Sequence, residues 1–227
     1  MSFDASPIER QSLRVRVRTA SLEADLSLPD AARGIVVFAH GSGSSRFSPR
    51  NRQVAERLHE AKLATMLVDL LTSDEEAVDK RTRELRFDIG LLADRLVGLT
   101  DWLRVHQRTA GLRVGYFGAS TGAGAALMAA AERPDAVHAV VSRGGRPDLA
   151  GPALHRVRAP TLLIVGGNDG PVIDMNWQAL AALHCEKRLS LVPGATHLFE
   201  EPGALGAVST LACDWFKSHF DQPGSAR

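Results

Sequence analysis

The chain is poor in cysteine and aromatic residues, and its charges almost cancel. Two cysteines among 227 residues cannot build the disulfide framework of a small secreted domain. We therefore expect Cys185 and Cys213 to be reduced thiols. Lys and Arg total 27 against 26 Asp and Glu, a net charge of +1. This balance gives no indication of nucleic-acid or membrane-surface binding.

Long apolar runs are also missing. No segment approaches the roughly 18 apolar residues of a transmembrane helix, and the first 18 residues hold no apolar core of signal-peptide length. We therefore expect a cytoplasmic protein that binds neither membrane nor nucleic acid. The length favours one sizeable core. We predict a flexible N-terminus over 1–10, a single domain over 11–220 and a flexible tail over 221–227.

The order of apolar segments predicts an α/β fold. Segments 12–19 and 21–28 alternate apolar and polar residues, which predicts an antiparallel strand pair at one sheet edge. From Gly34 onward, short apolar runs alternate with helical patterns, which predicts a mostly parallel, twisted sheet of about eight strands with helices on both faces. Further strands are expected at 34–39, 64–70, 112–117, 136–142, 160–165 and 188–192.

Three connecting segments bear on the shape of a site. The charged stretch 72–86 is expected to be a flexible surface loop or a short helix, and 87–105 an amphipathic helix with Phe87 on its apolar face. Residues 143–158 are expected to form a loop. No long insertion separates the strands on either side of that loop, so no large cap domain is expected.

The segment Gly118-Ala119-Ser120-Thr121-Gly122 lies between a predicted buried strand and a run of small, helix-favouring residues. A G-x-S-x-G sequence at a sharp strand-to-helix turn is typical of a nucleophile elbow, which holds its serine clear of the sheet. Glycine is needed on either side because a side chain there would collide with the neighbouring strand or helix. The context predicts that Ser120 is a nucleophile rather than part of a plain tight turn.

A nucleophilic serine needs a base, and the base needs an orienting acid. His197 follows the last predicted strand in a glycine-containing turn and is the predicted base. Asp169 directly follows the strand 160–165 and is the predicted acid, preferred over Asp174, whose place in a first helical turn is explained by the helix dipole. For the oxyanion we predict two backbone donors, the N–H groups of Thr121 and Ser42.

Other chemistries find less support. The glycine-rich loop after residue 39 lacks the Walker A pattern, and Arg46 occupies the position where a dinucleotide fingerprint needs glycine. His197 and Glu200 form a single pair without further ligands. We therefore expect no metal and no cofactor.

Four segments in this order, HGSGSS, GASTG, GGNDGPV and GATHLF, resemble the α/β-hydrolase superfamily over about residues 12–220. Within it the chain most resembles the compact dienelactone hydrolase-like members. The resemblance implies a triad of Ser120, Asp169 and His197 with oxyanion donors at Ser42 and Thr121. Dienelactone hydrolases proper have a cysteine nucleophile, so the serine here favours ester or thioester hydrolysis over the dienelactone substrate itself.

Two arginines are candidate substrate contacts. Arg143 follows the strand 136–142, and Arg46 follows the oxyanion loop. Our hypothesis is that Arg143 binds an anionic group of the substrate, with Arg46 as a further candidate. The alternative for Arg143 is a solvated loop position or an internal ion pair with Asp148.

The sequence thus predicts a serine hydrolase acting on a small ester, thioester or lactone. Two alternatives use the same fold: a non-catalytic binding or scaffold protein, and an acyltransferase with the same triad. The expected partner is a small-molecule substrate, and the expected state is a monomer or a homodimer.

Overall fold

The computed structural model describes residues 8–221, which contain one eight-stranded sheet. The strand order is β1-β2-β4-β3-β5-β6-β7-β8. β1 begins within the segment predicted to be flexible, while residues 1–7 and 222–227 lie outside the described residues. The strands are β1 Ile8–Val17, β2 Ala20–Pro29, β3 Gly34–Ala39, β4 Ala64–Val68, β5 Arg113–Ala119, β6 Val137–Arg143, β7 Thr161–Gly166 and β8 Lys187–Val192.

The pairing confirms the predicted mixed sheet. β2 is antiparallel to both of its neighbours, β1 and β4. All remaining pairs, from β4 through β3, β5, β6 and β7 to β8, are parallel. The carboxyl ends of β3 and β5 to β8 therefore meet at one edge of the sheet, where open α/β sheets hold their functional loops.

Helices cover both faces of the sheet, as predicted. α1 and α6 pack on one face, and α3, α4 and α5 pack on the other. Every residue of β3 and β7 is buried, as expected of central strands covered on both sides. The helices are α1 Pro49–Glu60, α2 Ser73–Thr82, α3 Ile89–Val105, α4 Thr121–Glu132, α5 Gly170–Ala182 and α6 Ala204–Phe220.

Of the two alternatives predicted for 72–86, a flexible loop or a short helix, the structure has the helix, and only 143–158 is more ordered than predicted. Within 72–86 the chain forms α2, because Thr72 and Glu75 make a reciprocal capping box at its start. A short 3₁₀ helix, Leu85–Phe87, follows. Residues 143–158 are not a simple loop, since Pro147–Arg156 forms 3₁₀ turns. No large cap domain interrupts this region.

Phe87 was predicted to face the core, and this is wrong. Asp88 caps α3 by accepting the N–H of Leu91, so the helix begins after Phe87 rather than at it. Phe87 remains in the preceding turn and is 56% exposed.

Both cysteines are free thiols, in agreement with the prediction from composition. Burial raises the pKa of each thiol. None of the helices within residues 8–221 has the length and apolar character needed to span a membrane.

Candidate active site

Ser120 occupies a sharp turn between β5 and α4. Its backbone has φ 49° and ψ −123°, a strained conformation for a residue with a side chain. The flanking glycines permit this turn, as predicted: a Cβ on Gly118 would lie 2.5 Å from the Ala123 Cα, and one on Gly122 would overlap the Ala39 carbonyl oxygen. The elbow geometry thus comes from the sequence G-x-S-x-G in the predicted context.

Backbone hydrogen bonds tie this turn to the loop after β6. The Ser120 N–H donates to the Arg143 carbonyl at 3.3 Å, and the Arg146 N–H donates to the Ser120 carbonyl at 3.0 Å. The Gly144 N–H donates to the Ile164 carbonyl of β7 at 2.8 Å. The strained residue is therefore fixed to a loop that is itself fixed to the next strand.

The predicted base and acid lie in direct contact. His197 Nδ1 and Asp169 Oδ2 are 2.7 Å apart, a distance at which an Nδ1–H donates to the carboxylate. The two loops are joined by their backbones, since the Asn168 N–H donates to the Ala195 carbonyl at 2.9 Å. Asp174 lies within α5. Asp169 therefore holds the position that the sequence assigns to it.

Ser120 and His197 line one cavity of about 270 Å³, together with Arg143, Arg50 and Asn51. Within residues 8–221, no hydrogen bond joins the Ser120 hydroxyl to His197. Such bonds are often long in unliganded enzymes and shorten when substrate binds. Ser120 and His197 thus border one cavity at the carboxyl edge of the sheet, and Asp169 contacts His197 there.

The loop between β3 and α1 lies directly against the nucleophile. A Cβ on Gly41 would lie 3.0 Å from the Ser120 Cβ. The Ser42 N–H donates to the Thr121 hydroxyl oxygen at 2.9 Å, so one predicted oxyanion donor is already engaged. The other, the Thr121 N–H, begins α4 and has no intrahelical partner because it lies in the first turn.

His40 supports this loop, a role that was not predicted from the sequence. Its Nε2 accepts the Leu70 N–H at 3.2 Å, which leaves Nδ1–H to donate to the Gly41 carbonyl at 3.0 Å. Burial lowers the pKa of His40, which favours this neutral form. The His-Gly pair that opens the glycine-rich loop was the signal for this role.

Arg143 is a buried cation without an acidic partner among the described residues. It is 7% exposed, and its Nη2 reaches only the Asn51 Oδ1, at 3.5 Å. Its Nε is buried without a hydrogen-bond partner. Burial and the charge of Arg50 lower the pKa of Arg143 to about 10. The expected alternative, a pair with Asp148, is wrong because Arg146 holds that carboxylate at 2.7 Å.

Arg46 does not line the Ser120 cavity, which corrects its assignment as a substrate contact. Its backbone N–H and its guanidinium both bind Asp69, and Asp25 lies 3.8 Å from its Nε. Its guanidinium also stacks on the Phe47 ring at 4.2 Å. These contacts turn Arg46 toward β2 and β4, away from the nucleophile.

Among residues 8–221 no group of three or more metal-ligating side chains is found. Glu200, considered above beside His197, pairs with Arg50 at 2.8 Å.

The model of the dienelactone hydrolase family matches residues 22–221. The chain belongs to this family. A dienelactone hydrolase from Anabaena variabilis is 63% identical, with a TM-score of 0.92, over 93% of this chain and 98% of that one. Est1E from Butyrivibrio proteoclasticus shares the fold with a TM-score of 0.78 at 14% identity, over 93% of this chain and 99% of that one.

Two curated proteins of Mycobacterium tuberculosis, strains CDC 1551 and H37Rv, are 56% identical over 218 residues. Both bear the name "Putative phosphoribosyl transferase". The match covers 96% of this chain but only 48% of each of those proteins, so the chain spans about half their length. The family and the solved structures support a hydrolase enzyme.

Proposed function

We propose that the chain is a serine hydrolase that cleaves a small ester, thioester or lactone through an acyl-enzyme on Ser120. One arrangement supports the proposal. His197 Nδ1 lies 2.7 Å from Asp169 Oδ2, and His197 lines the same cavity as Ser120, whose backbone has φ 49°. A base oriented by an acid beside a serine at an elbow is the arrangement that acyl transfer requires.

The reaction proceeds in two halves. Ser120 Oγ attacks the carbonyl carbon while His197 Nε2 takes its proton, and the Asp169 carboxylate stabilises the resulting imidazolium through Nδ1–H. His197 then protonates the leaving group. His197 then deprotonates a water molecule, which attacks the acyl-enzyme. The acyl–Oγ bond breaks, His197 returns the proton to Ser120 Oγ, and the acid is released. The Thr121 N–H, at the start of α4 and without an intrahelical partner, stabilises the oxyanion in both halves.

The substrate carries an anionic group close to its reacting carbonyl. Arg143 supports this part of the proposal because a desolvated guanidinium without a carboxylate partner is costly unless a ligand supplies the opposite charge. Asn51 and Arg50 border the same cavity, but Arg50 is already paired with Glu200. Arg143 is thus the cation left for the substrate.

The name of the Mycobacterium tuberculosis proteins raises phosphoribosyl transfer as a second activity. The part of those proteins that resembles this chain is the part that the hydrolase family model covers here. We therefore do not extend that activity to this chain.

A fluorophosphonate probe tests the proposal without knowledge of the physiological substrate. We expect stoichiometric labelling of the wild type at Ser120, identified by peptide mass spectrometry, together with hydrolysis of p-nitrophenyl acetate. The Ser120→Ala variant should lose both while retaining the wild-type circular dichroism spectrum. An unlabelled, folded wild type would favour the binding-protein alternative. If the acyl group were transferred from Ser120 to an added alcohol faster than to water, the acyltransferase alternative would be favoured.

A further inference from the structure

The Thr121 side chain has a hydroxyl group that can donate a hydrogen bond in addition to the backbone N–H. Thr121 is the first residue of α4, directly after the nucleophile, and is 4% exposed. Its hydroxyl oxygen accepts the Ser42 N–H at 2.9 Å. The hydroxyl therefore links the two segments that are predicted to surround the oxyanion.

A hydroxyl that accepts one hydrogen bond retains its own proton for donation. Among residues 8–221 we find no acceptor for the Thr121 hydroxyl proton. An N–H donated into the oxygen polarises the O–H bond, which strengthens any hydrogen bond that the hydroxyl then donates. The arrangement is thus a polarised donor without an acceptor beside a nucleophile.

The substrate oxyanion would supply the missing acceptor. The loop carrying Ser42 touches Ser120, since a Cβ on Gly41 would lie 3.0 Å from the Ser120 Cβ. The Thr121 N–H is the predicted oxyanion donor, so an oxygen bound to it lies next to the hydroxyl of the same residue. Thr121 lines the cavity that adjoins the one of Ser120 and His197 and shares Gly41 and Ser42 with it.

We propose that the Thr121 hydroxyl is an oxyanion donor beside the Thr121 N–H, polarised by the Ser42 N–H and taking the place predicted for that group. The inference rests on the proposed serine-hydrolase function and replaces one of the two predicted backbone donors, the Ser42 N–H, by a side-chain donor. The hydroxyl keeps its proton throughout, so it contributes a hydrogen bond to the transition state and takes no part in proton transfer.

Replacement of Thr121 by Val and by Ser separates this role from packing. Val keeps the shape and removes the donor, whereas Ser keeps the donor. We expect Thr121→Val to lower kcat for p-nitrophenyl acetate roughly 10²- to 10³-fold with KM nearly unchanged, the effect of losing one oxyanion donor. The rate of phosphonylation of Ser120 should fall in parallel, and Thr121→Ser should restore both to within a few fold of the wild type.

Thr161→Val is the matched control. Thr161 is fully buried at the start of β7, and its hydroxyl donates to the Ala159 carbonyl at 2.9 Å, at the sheet end remote from Ser120. This variant should lower the melting temperature and leave kcat unchanged.

Two results would overturn the inference while wild-type turnover and labelling still hold. In one, Thr121→Val is as active as the wild type or faster, because the hydroxyl only occupies the Ser42 N–H. In the other, Val and Ser lower kcat equally. Absence of wild-type turnover and of a Ser120 adduct would instead refute the proposed function.

Discussion

Arg143 and Arg46 both lie close to the loop that borders Ser120, but their surroundings are opposite. Arg46 binds the Asp69 carboxylate through its backbone and side chain and has Asp25 nearby. Arg143 is more deeply buried and has no carboxylate partner among the described residues, only the Asn51 amide oxygen at 3.5 Å and the Phe199 ring at 5.9 Å. The Nε of each guanidinium is buried without a hydrogen-bond partner, so the difference lies in the charge. Carboxylates neutralise Arg46 and stabilise the fold, whereas we propose that the charge of Arg143 is neutralised by substrate.

The largest expected difference comes from replacing one aspartate near Ser120 and one near Arg46. Asp169→Asn should lower kcat about 10⁴-fold, because an amide favours the wrong His197 tautomer while keeping the side-chain shape. Asp69→Asn should retain most activity and lose stability instead, since it weakens the contact with Arg46. Steady-state kinetics and thermal melts of the two variants measure both effects. Equal losses of activity would remove the distinction between the regions.

The arginines provide the next test. Arg143→Met should raise KM about 10- to 100-fold for mono-4-nitrophenyl succinate, the range expected for loss of hydrogen bonds to a charged group. KM for the neutral ester 4-nitrophenyl butyrate should not change. Arg46→Met serves as the control and should leave the ratio of the two KM values unaltered. An unchanged ratio in Arg143→Met would contradict the anionic-substrate proposal.

The same two variants should differ in the sign of their stability change. Arg143→Met removes a buried charge without a carboxylate partner, so the melting temperature should stay constant or rise. Arg46→Met leaves Asp69 with the backbone N–H but without the guanidinium, and should cost about 2 kcal/mol, or roughly 4–8 °C in melting temperature. Differential scanning calorimetry in one buffer checks both. A lower melting temperature for Arg143→Met than for Arg46→Met would reverse the comparison.

The smallest expected effect is the dependence of stability on pH. Burial lowers the pKa of His40, near Ser120, and of His59 and His138 elsewhere in the fold. Below about pH 6.5 the unfolded chain therefore binds protons that the folded chain does not, and stability falls as the pH decreases.

Urea unfolding at pH 7.5 and pH 5.5 should accordingly give a lower free energy of unfolding at the acidic pH. His59→Gln should reduce this difference and leave activity unchanged, because His59 contacts Thr65 and Glu56, away from the cavity. A difference as large in the variant as in the wild type would exclude a contribution from His59.

The site was accessible from sequence wherever local pattern and topology combined. The glycines around Ser120 mark the elbow, and the parallel sheet brings Asp169 and His197 to the same edge. Local pattern and topology did not distinguish the roles of Arg143 and Arg46. Their difference depends on which distant carboxylates reach them, and Asp25 and Asp69 come from β2 and the end of β4. The engagement of the Ser42 N–H by Thr121 also needs three-dimensional coordinates, because 79 residues separate the two.

The fold, like the site, was predicted well where the local pattern of burial determines the structure. Buried runs such as β3 and β7 were predicted almost to the residue, since burial on both faces leaves a continuous apolar signature. The error at Phe87 arose because an apolar residue one position before a cap continues the helical periodicity without belonging to the helix.

The strained backbone of Ser120 lowers the stability of the protein, so selection for thermal stability would act on this position. Glycine adopts φ 49° without the steric penalty of a side chain, so Ser120→Gly should relieve part of a strain of about 1–3 kcal/mol. The inactive protein would then outlast the active one on heating. A laboratory evolution campaign scored on heat resistance alone would drift toward glycine at this position and discard the nucleophile, so any such screen of this chain has to score turnover as well.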